Sequence, residues 1–148
     1  MKKIGLLNGP NLDRLGKREP EVYGSATLDD IEDKVKTKAE TCDCEVVAFQ
    51  SNHEGALIDK IHEWGDAGFS GLILNPGGLT HTSVALRDAV VASGLKTVEV
   101  HLSNIHARED FRHKSLISGV VTGMNCGLGI NGYILAINSM HEILKNEN

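Results

Sequence analysis

Glu99 and His101 stand two residues apart in an apolar run, Thr97 to Leu102, that reads as a strand, so both side chains project from one face. A carboxylate in that position holds an imidazole in one tautomer and orientation, which is the hardware of general acid–base catalysis. A solvated strand end is the alternative; Ser103, which continues the alternation, and Arg108 and Arg112 close behind favour the catalytic reading. Asn75-Pro76-Gly77-Gly78 follows a second strand-like run and precedes a helix opened by Thr80 or Thr82. Its backbone N–H groups and helix dipole suit an anion or a polarised oxygen, with His81 at the mouth. A plain turn with an N-cap has the same pattern, which is neither G-x-G-x-x-G nor a P-loop. Tyr23 is a candidate base. A free phenol has a pKa near ~10 and is protonated at neutral pH, but Arg18, five residues upstream, with Arg14 or Arg108, is the kind of cation that lowers it. The structural alternative is a tyrosine that anchors its loop.

Other polar residues read more plainly. Asp88 is a surface charge or reaches a neighbouring subunit, and it cannot share the site with Arg87. His53 is a capping or interface residue, and His62, His113 and His141 are surface or packing residues. No trio of ligand types has metal-site spacing.

The elements that must position these groups alternate along the chain. Strand-like runs occur at Lys2 to Asn8, Cys44 to Gln50, Gly71 to Asn75, Thr97 to Leu102 and Ser118 to Gly123. Helical patterns lie between them. One runs from Leu28 to Thr41 with Thr27 as N-cap; another carries Leu57, Ile58, Ile61 and Trp64; a third spans Ser83 to Ser93 before Gly94; and the last runs from Asn131 to Lys145 with Ile134, Ile137 and Ile143 mostly on one side. Five β-α units predict an α/β, flavodoxin-like three-layer sandwich, a parallel sheet of order 2-1-3-4-5 with right-handed crossovers. Ligands of such sheets bind beyond the carboxyl ends of the strands, where Asn8, Asn75 and His101 fall. The connection from Gly9 to Ala26 takes eighteen residues where βα loops use about 2 to 6, which marks it as an active-site lid. Gly9, Gly16 and Gly24 supply hinges, and Pro10 and Pro20 stiffen the pieces between.

Bulk properties bound the partners. A chain of 148 residues is one domain by size. A net charge of −5 argues against nucleic acid as a partner, because counterion release needs a basic stripe. The apolar run after Met1-Lys2-Lys3 is too short for a signal peptide, and no stretch approaches a membrane span. Cys42, Cys44 and Cys126 are odd in number and read as reduced thiols, so the expected compartment is the cytoplasm.

Several blocks together carry a family likeness. Asn8-Gly9-Pro10-Asn11-Leu12 with Leu15-Gly16-Lys17-Arg18-Glu19-Pro20-Glu21-Val22-Tyr23-Gly24 resembles the opening signature of the type II 3-dehydroquinate dehydratases. Gln50-Ser51-Asn52-His53-Glu54-Gly55, Asn75-Pro76-Gly77-Gly78, Thr80 to Asp88, Glu99 to Asn104, Arg108-Glu109 and Phe111-Arg112-His113 resemble its later blocks, in its order. Asp13 departs from the asparagine expected there.

The resemblance implies anti elimination of water from 3-dehydroquinate through an enolate, the third step of the shikimate route, with no metal or organic cofactor. It implies Tyr23 as base, Arg18 as its activator, Asn11 as holder of the water on the enolate oxygen, and His101, oriented by Glu99, as acid. It implies substrate contacts from Asn75, Gly77, Gly78, His81, Leu102, Ser103, Arg108 and Arg112, with Asp88 supplied by an adjacent subunit of a dodecamer built from trimers. A rival class, a flavodoxin-like carrier of FMN or a signalling receiver, shares the predicted fold. A carrier is yellow when purified, and a receiver needs carboxylates where the first strand ends in Asn8-Gly9.

Overall fold

The computed structural model describes residues 1–17, 21 and 24–146. Among them five strands form one all-parallel sheet in the order β2-β1-β3-β4-β5: β1 Lys2–Asn8, β2 Cys44–Gln50, β3 Gly71–Asn75, β4 Lys96–His101 and β5 Gly123–Cys126. The register is continuous, with Asn8 opposite Gln50 on one side and Asn75 on the other, and His101 opposite Cys126. The strand ends that carry polar residues are therefore level with one another.

Among the described residues four helices cover the sheet: α1 Leu28–Glu40, α2 Glu54–Asp66, α3 Val84–Ser93 and α4 Asn131–Lys145. The α1 helix begins where its sequence says it should. Thr27 Oγ1 accepts from Asp30 N while Asp30 Oδ2 accepts from Thr27 N, a capping box that satisfies two otherwise orphaned donors. Hydrogen bonding from Thr27, its backbone N–H first and its side chain second, holds the exposed Asp30 carboxyl below its ordinary pKa. Ile31, Val35 and Ala39 recur at every fourth position and are buried.

Period-two alternation in the strands divides the core between two layers. Ile4, Leu6, Ile73, Val98 and Val100 pack under α1 and α4, while Leu7, Leu72 and Leu74 pack under α2 and α3 with Leu57, Ile61, Trp64 and Leu86. In α4 the buried stripe is Tyr133, Ala136, Ile137, Met140 and Leu144, and Ile134 and Ile143 flank it half-buried.

Three boundaries differ from expectation. β4 lies one residue earlier than Thr97 to Leu102. The helix after β3 is not opened by Thr80 or Thr82. Gly77–His81 is a 3₁₀ turn stabilised by Thr80 Oγ1 donating to Gly77 O, and Ser83 is the N-cap of α3, accepting from Leu86 N. The fifth strand is not Ser118 to Gly123. Ser118–Val120 form a 3₁₀ turn, because Ser115 Oγ accepts from the Ile117 and Ser118 N–H groups and curls the chain, and Val120 and Val121 join the α2–α3 core from that turn. Pairing with β4 starts only where Thr122 N donates to Thr97 O. No helix of the described residues is long and apolar enough to cross a membrane.

Candidate active site

The carboxyl ends of β1 and β3 are fastened together before any ligand group is placed. Gly9 N donates to Asn75 O at 2.8 Å. A Cβ on Gly9 would lie 2.4 Å from Pro76 O, and one on Gly77, whose φ is +60°, 2.9 Å from Pro10 O, so only glycine permits this approach of the two chains. The Gln50-Ser51-Asn52 segment clamps the root of the long loop. Gln50 Nε2 donates to Gly9 O, and Asn52 Oδ1 accepts from Asn11 N at 2.9 Å. Asn11 sits in the left-handed region at φ 70°, which asparagine tolerates better than most residues.

A cavity of about 160 Å³ opens beyond these strand ends. Of the residues read from the sequence, Asn11, Asn75, Gly77, Gly78, His81, His101, Leu102, Ser103, Arg108 and Arg112 all line it. It is smaller than the ~300–1,000 Å³ of sites for drug-sized ligands, which suits a molecule of about one ring. Its cationic wall suits an anion: Arg108 Nη1 donates to Ser103 Oγ at 3.4 Å, and Arg112 Nε donates to Glu109 Oε1 at 3.1 Å. A hydrogen bond to its own backbone N–H, then the bond from Arg112 and the charges of Arg112 and Arg108, holds the exposed Glu109 below the ordinary carboxylate range.

Glu99 lies behind the wall at zero exposure, with its carboxylate accepting from His101 Nε2. Ser115 Oγ donates to the same carboxylate oxygen at 3.0 Å, and Ser118 Oγ donates to the other at 2.7 Å. Burial by itself would raise the Glu99 pKa; the bonds from His101 and Ser118, the charge of His101 and the bond from Ser115 outweigh it and hold the group below its ordinary value. Glu99 is thus an anion at neutral pH, and the two-residue spacing places a carboxylate–imidazole pair on the site rather than a solvated strand end.

The tautomers follow from the partners. A carbonyl only accepts, so His81 Nδ1, 2.8 Å from Lys114 O, carries the hydrogen and Nε2 is left for the cavity. The Asn75 amide is fixed in the same way. Its Oδ1 accepts from Gly77 N at 3.1 Å, and its Nδ2 donates to Tyr133 Oη at 2.9 Å. Tyr133 Oη in turn donates to Asn8 Oδ1 at 2.6 Å. Burial pushes the Tyr133 phenol well above its ordinary pKa, so this hydroxyl stays neutral.

Some expected residues are elsewhere. Arg18 and Tyr23 lie outside the described residues. Asp88 is exposed on α3 and does not line its own chain's cavity, and Arg87 turns to Leu116 O at 2.6 Å. His53 occupies the N-cap position of α2 but makes no side-chain capping bond. Pro10, Leu12 and Ile105 line the cavity, and Ser115, Ser118 and Tyr133 support it, without having been singled out in the sequence. Pro10, Leu12 and Ile105 adjoin chosen residues and could have been found by neighbourhood; Tyr133 meets Asn8 across 125 positions, which no local pattern encodes. Among the described residues no group of three or more His, Cys, Asp or Glu is arranged to hold a metal ion.

Comparison with known proteins places this arrangement in company. Residues 2–141 match the family model described as dehydroquinase class II. The chain is 58% identical over 136 residues to the 3-dehydroquinate dehydratase of Herminiimonas arsenicoxydans, covering 92% of this chain and 94% of that one. It is 52% identical over 145 residues to the 3-dehydroquinate dehydratase of Halothermothrix orenii, covering 98% and 97%. The crystal structure of the type II dehydroquinase from Butyrivibrio crossotus superposes with a TM-score of 0.92 at 44% identity, covering 94% of this chain and 97% of that one.

Proposed function

Since this chain belongs to the class II dehydroquinase family, we propose that it is a carbon–oxygen lyase that removes water from 3-dehydroquinate to give 3-dehydroshikimate in the shikimate pathway. One observation carries the chemistry: a buried Glu99–His101 pair in the wall of a ring-sized cavity that also presents Arg108 and Arg112.

The elimination needs a base for the proton next to the ketone, a stabiliser for the enolate oxygen, and an acid for the departing hydroxyl. Tyr23, activated by Arg18, is the base that takes the proton. The electron pair moves onto the carbonyl oxygen, where a water held by Asn11 donates a hydrogen bond to the enolate and stabilises its charge. His101 gives its proton to the hydroxyl as the pair returns to form the double bond and water leaves. Glu99 stabilises the imidazolium until that transfer. Arg108, Arg112 and Ser103 receive the substrate carboxylate, while Asn75, His81, Leu102 and the backbone of Gly77 and Gly78 hold the ring and its hydroxyls. Each step is a proton movement between groups of the chain and the substrate, so no metal or organic cofactor enters it.

Residues 9–26 act as the lid of a single catalytic domain spanning 1–148. Its root at Pro10 to Leu12 lines the cavity, and its return at Gly24 to Ala26 shares a groove with Leu102, a second cavity residue. Asp88 reaches the site of a neighbouring subunit. In support, Val84 and Val91, 59% and 58% exposed, share the outer face of α3 with it, the kind of apolar surface that assembly covers. The assembly is a dodecamer built from trimers, in the cytoplasm. The test is a spectrophotometric assay with 3-dehydroquinate, with and without a chelator; appearance of the enone chromophore at equal rates is expected, and its absence from active-site-intact protein overturns the reading.

A further inference from the structure

The segment Lys114 to Ser118 touches the site only from behind, and its hydroxyls have few choices of partner. The Ser115 oxygen accepts from the N–H groups of Ile117 and Ser118 at 3.1 and 3.0 Å, so its own hydrogen is directed to Glu99 Oε2. Ser118 Oγ covers Oε1. With His101 Nε2 on Oε2, both carboxylate oxygens are engaged and the plane of the carboxylate is fixed.

Resting on the dehydratase reading above, we propose that Ser115 and Ser118 are positioning residues for the reaction: their hydroxyls hold the Glu99 carboxylate so that it grips His101 through Nε2 and leaves Nδ1 as the ring nitrogen for the substrate. Without them a buried carboxylate loses the donors that offset its desolvation and becomes easier to protonate, and a neutral acid cannot stabilise an imidazolium. It also becomes free to turn about its terminal bond, and the imidazole turns with it.

The Lys114 to Leu116 stretch is also held by bonds other than those of the serine hydroxyls. Leu116 N donates to Thr80 O at 2.8 Å, Leu116 O accepts from Arg87 Nη1 at 2.6 Å, and Lys114 O accepts from His81 Nδ1. Removing the Ser118 hydroxyl therefore isolates its action on Glu99 from the path of the chain, whereas Ser115→Ala also removes the two bonds that curl the turn. Other charges near Glu99 are accounted for. β3 and β5 place Leu74 and Met124 in register with it, neither of which titrates. α3 brings Arg87, held at Leu116 O, and the exposed Asp88; the 3₁₀ turn brings His81; the Lys114 side chain is exposed; and Arg108 and Arg112 stand at the cavity. His101 is the charge that faces the carboxylate directly.

Ser115→Ala, Ser118→Ala and the double variant are assayed with 3-dehydroquinate across pH, beside Ser118→Thr, which keeps a hydroxyl. A fall in kcat of about tenfold per single variant is expected, with KM moving less than about threefold because no cavity-lining group is lost. The acid limb of kcat moves to higher pH, since Glu99 takes its proton more readily, and Ser118→Thr retains most of the parental rate. A double variant with parental kcat and acid limb overturns the proposal, as does a rise in KM at unchanged kcat, or a Ser118→Thr as impaired as Ser118→Ala. Nitrogen NMR of His101 in the parent, above the imidazole transition, reads the geometry independently of the variants' folding. The hydrogen is expected on Nε2, and finding it on Nδ1 overturns the proposal. A parent that does not turn over 3-dehydroquinate instead overturns the functional reading, leaving the NMR result to judge the positioning claim.

Discussion

Burying a carboxylate costs several kcal/mol unless donors replace the water it loses, and Glu99 has three, from His101, Ser115 and Ser118. Its folded-state pKa is lowered, so the stability it contributes is fully present above the ordinary carboxylate range and is lost as pH falls through the lowered value. Acid titration of stability in the parent and in Ser118→Ala should show that loss at higher pH in the variant. On the proposed mechanism Tyr23→Phe removes the base and leaves the cavity, so turnover should drop by about 10²-fold or more while substrate binding stays measurable by calorimetry. Arg18→Lys should also lose most activity on the proposed mechanism, because an ammonium on a flexible stem does not reproduce a planar guanidinium; parental kcat would remove Arg18 from the mechanism. Tyr133→Phe leaves Asn8 Oδ1 buried without a donor, beside an Nδ2 that already has no partner, and deprives Asn75 Nδ2 of its acceptor. Denaturant titration should show a loss of about 1–3 kcal/mol.

At the scale of elements, the clearest sequence signals came from groups whose local pattern and tertiary role agree. β1, β2 and β3 are short apolar runs between breakers and appear where read, and α1 begins at its capping box. Thr27→Ala, which removes one half of that box, should cost about 1 kcal/mol in a thermal or urea melt without affecting kcat. Glu99 and His101 were legible because a strand's period of two is unambiguous once the strand is found. The Ser118 to Gly123 run misled for a reason visible only in three dimensions: Ser115 caps the turn and Glu99 captures Ser118, so a β-like sequence is spent on holding a catalytic pair. The same holds for Tyr133, a helix residue whose periodicity says core and whose hydroxyl says site.

At the scale of the whole molecule, the two halves of the site have different mechanical supports. His101, Asn75 and their partners stand on the ends of the sheet, while Asn11 stands on the root of the long loop. The outer face of α3 carries Val84, Asp88 and Val91 at helical spacing. On the assembly proposed above, Val91→Glu should split the oligomer in sedimentation and reduce turnover at the same time by withdrawing Asp88 from the neighbouring site; intact assembly with parental turnover would detach α3 from both roles.

The interlocked backbones of Gly9 and Gly77 make the bottom of the pocket a fixed mould. A medicinal chemist enlarging an inhibitor there meets rigid main chain on both sides, so each atom added in that direction should weaken affinity steeply. Substituents that leave past Pro10 and Leu12 follow the border built from the connection after β1, and potency gained on that side should track how well the compound fills the opening.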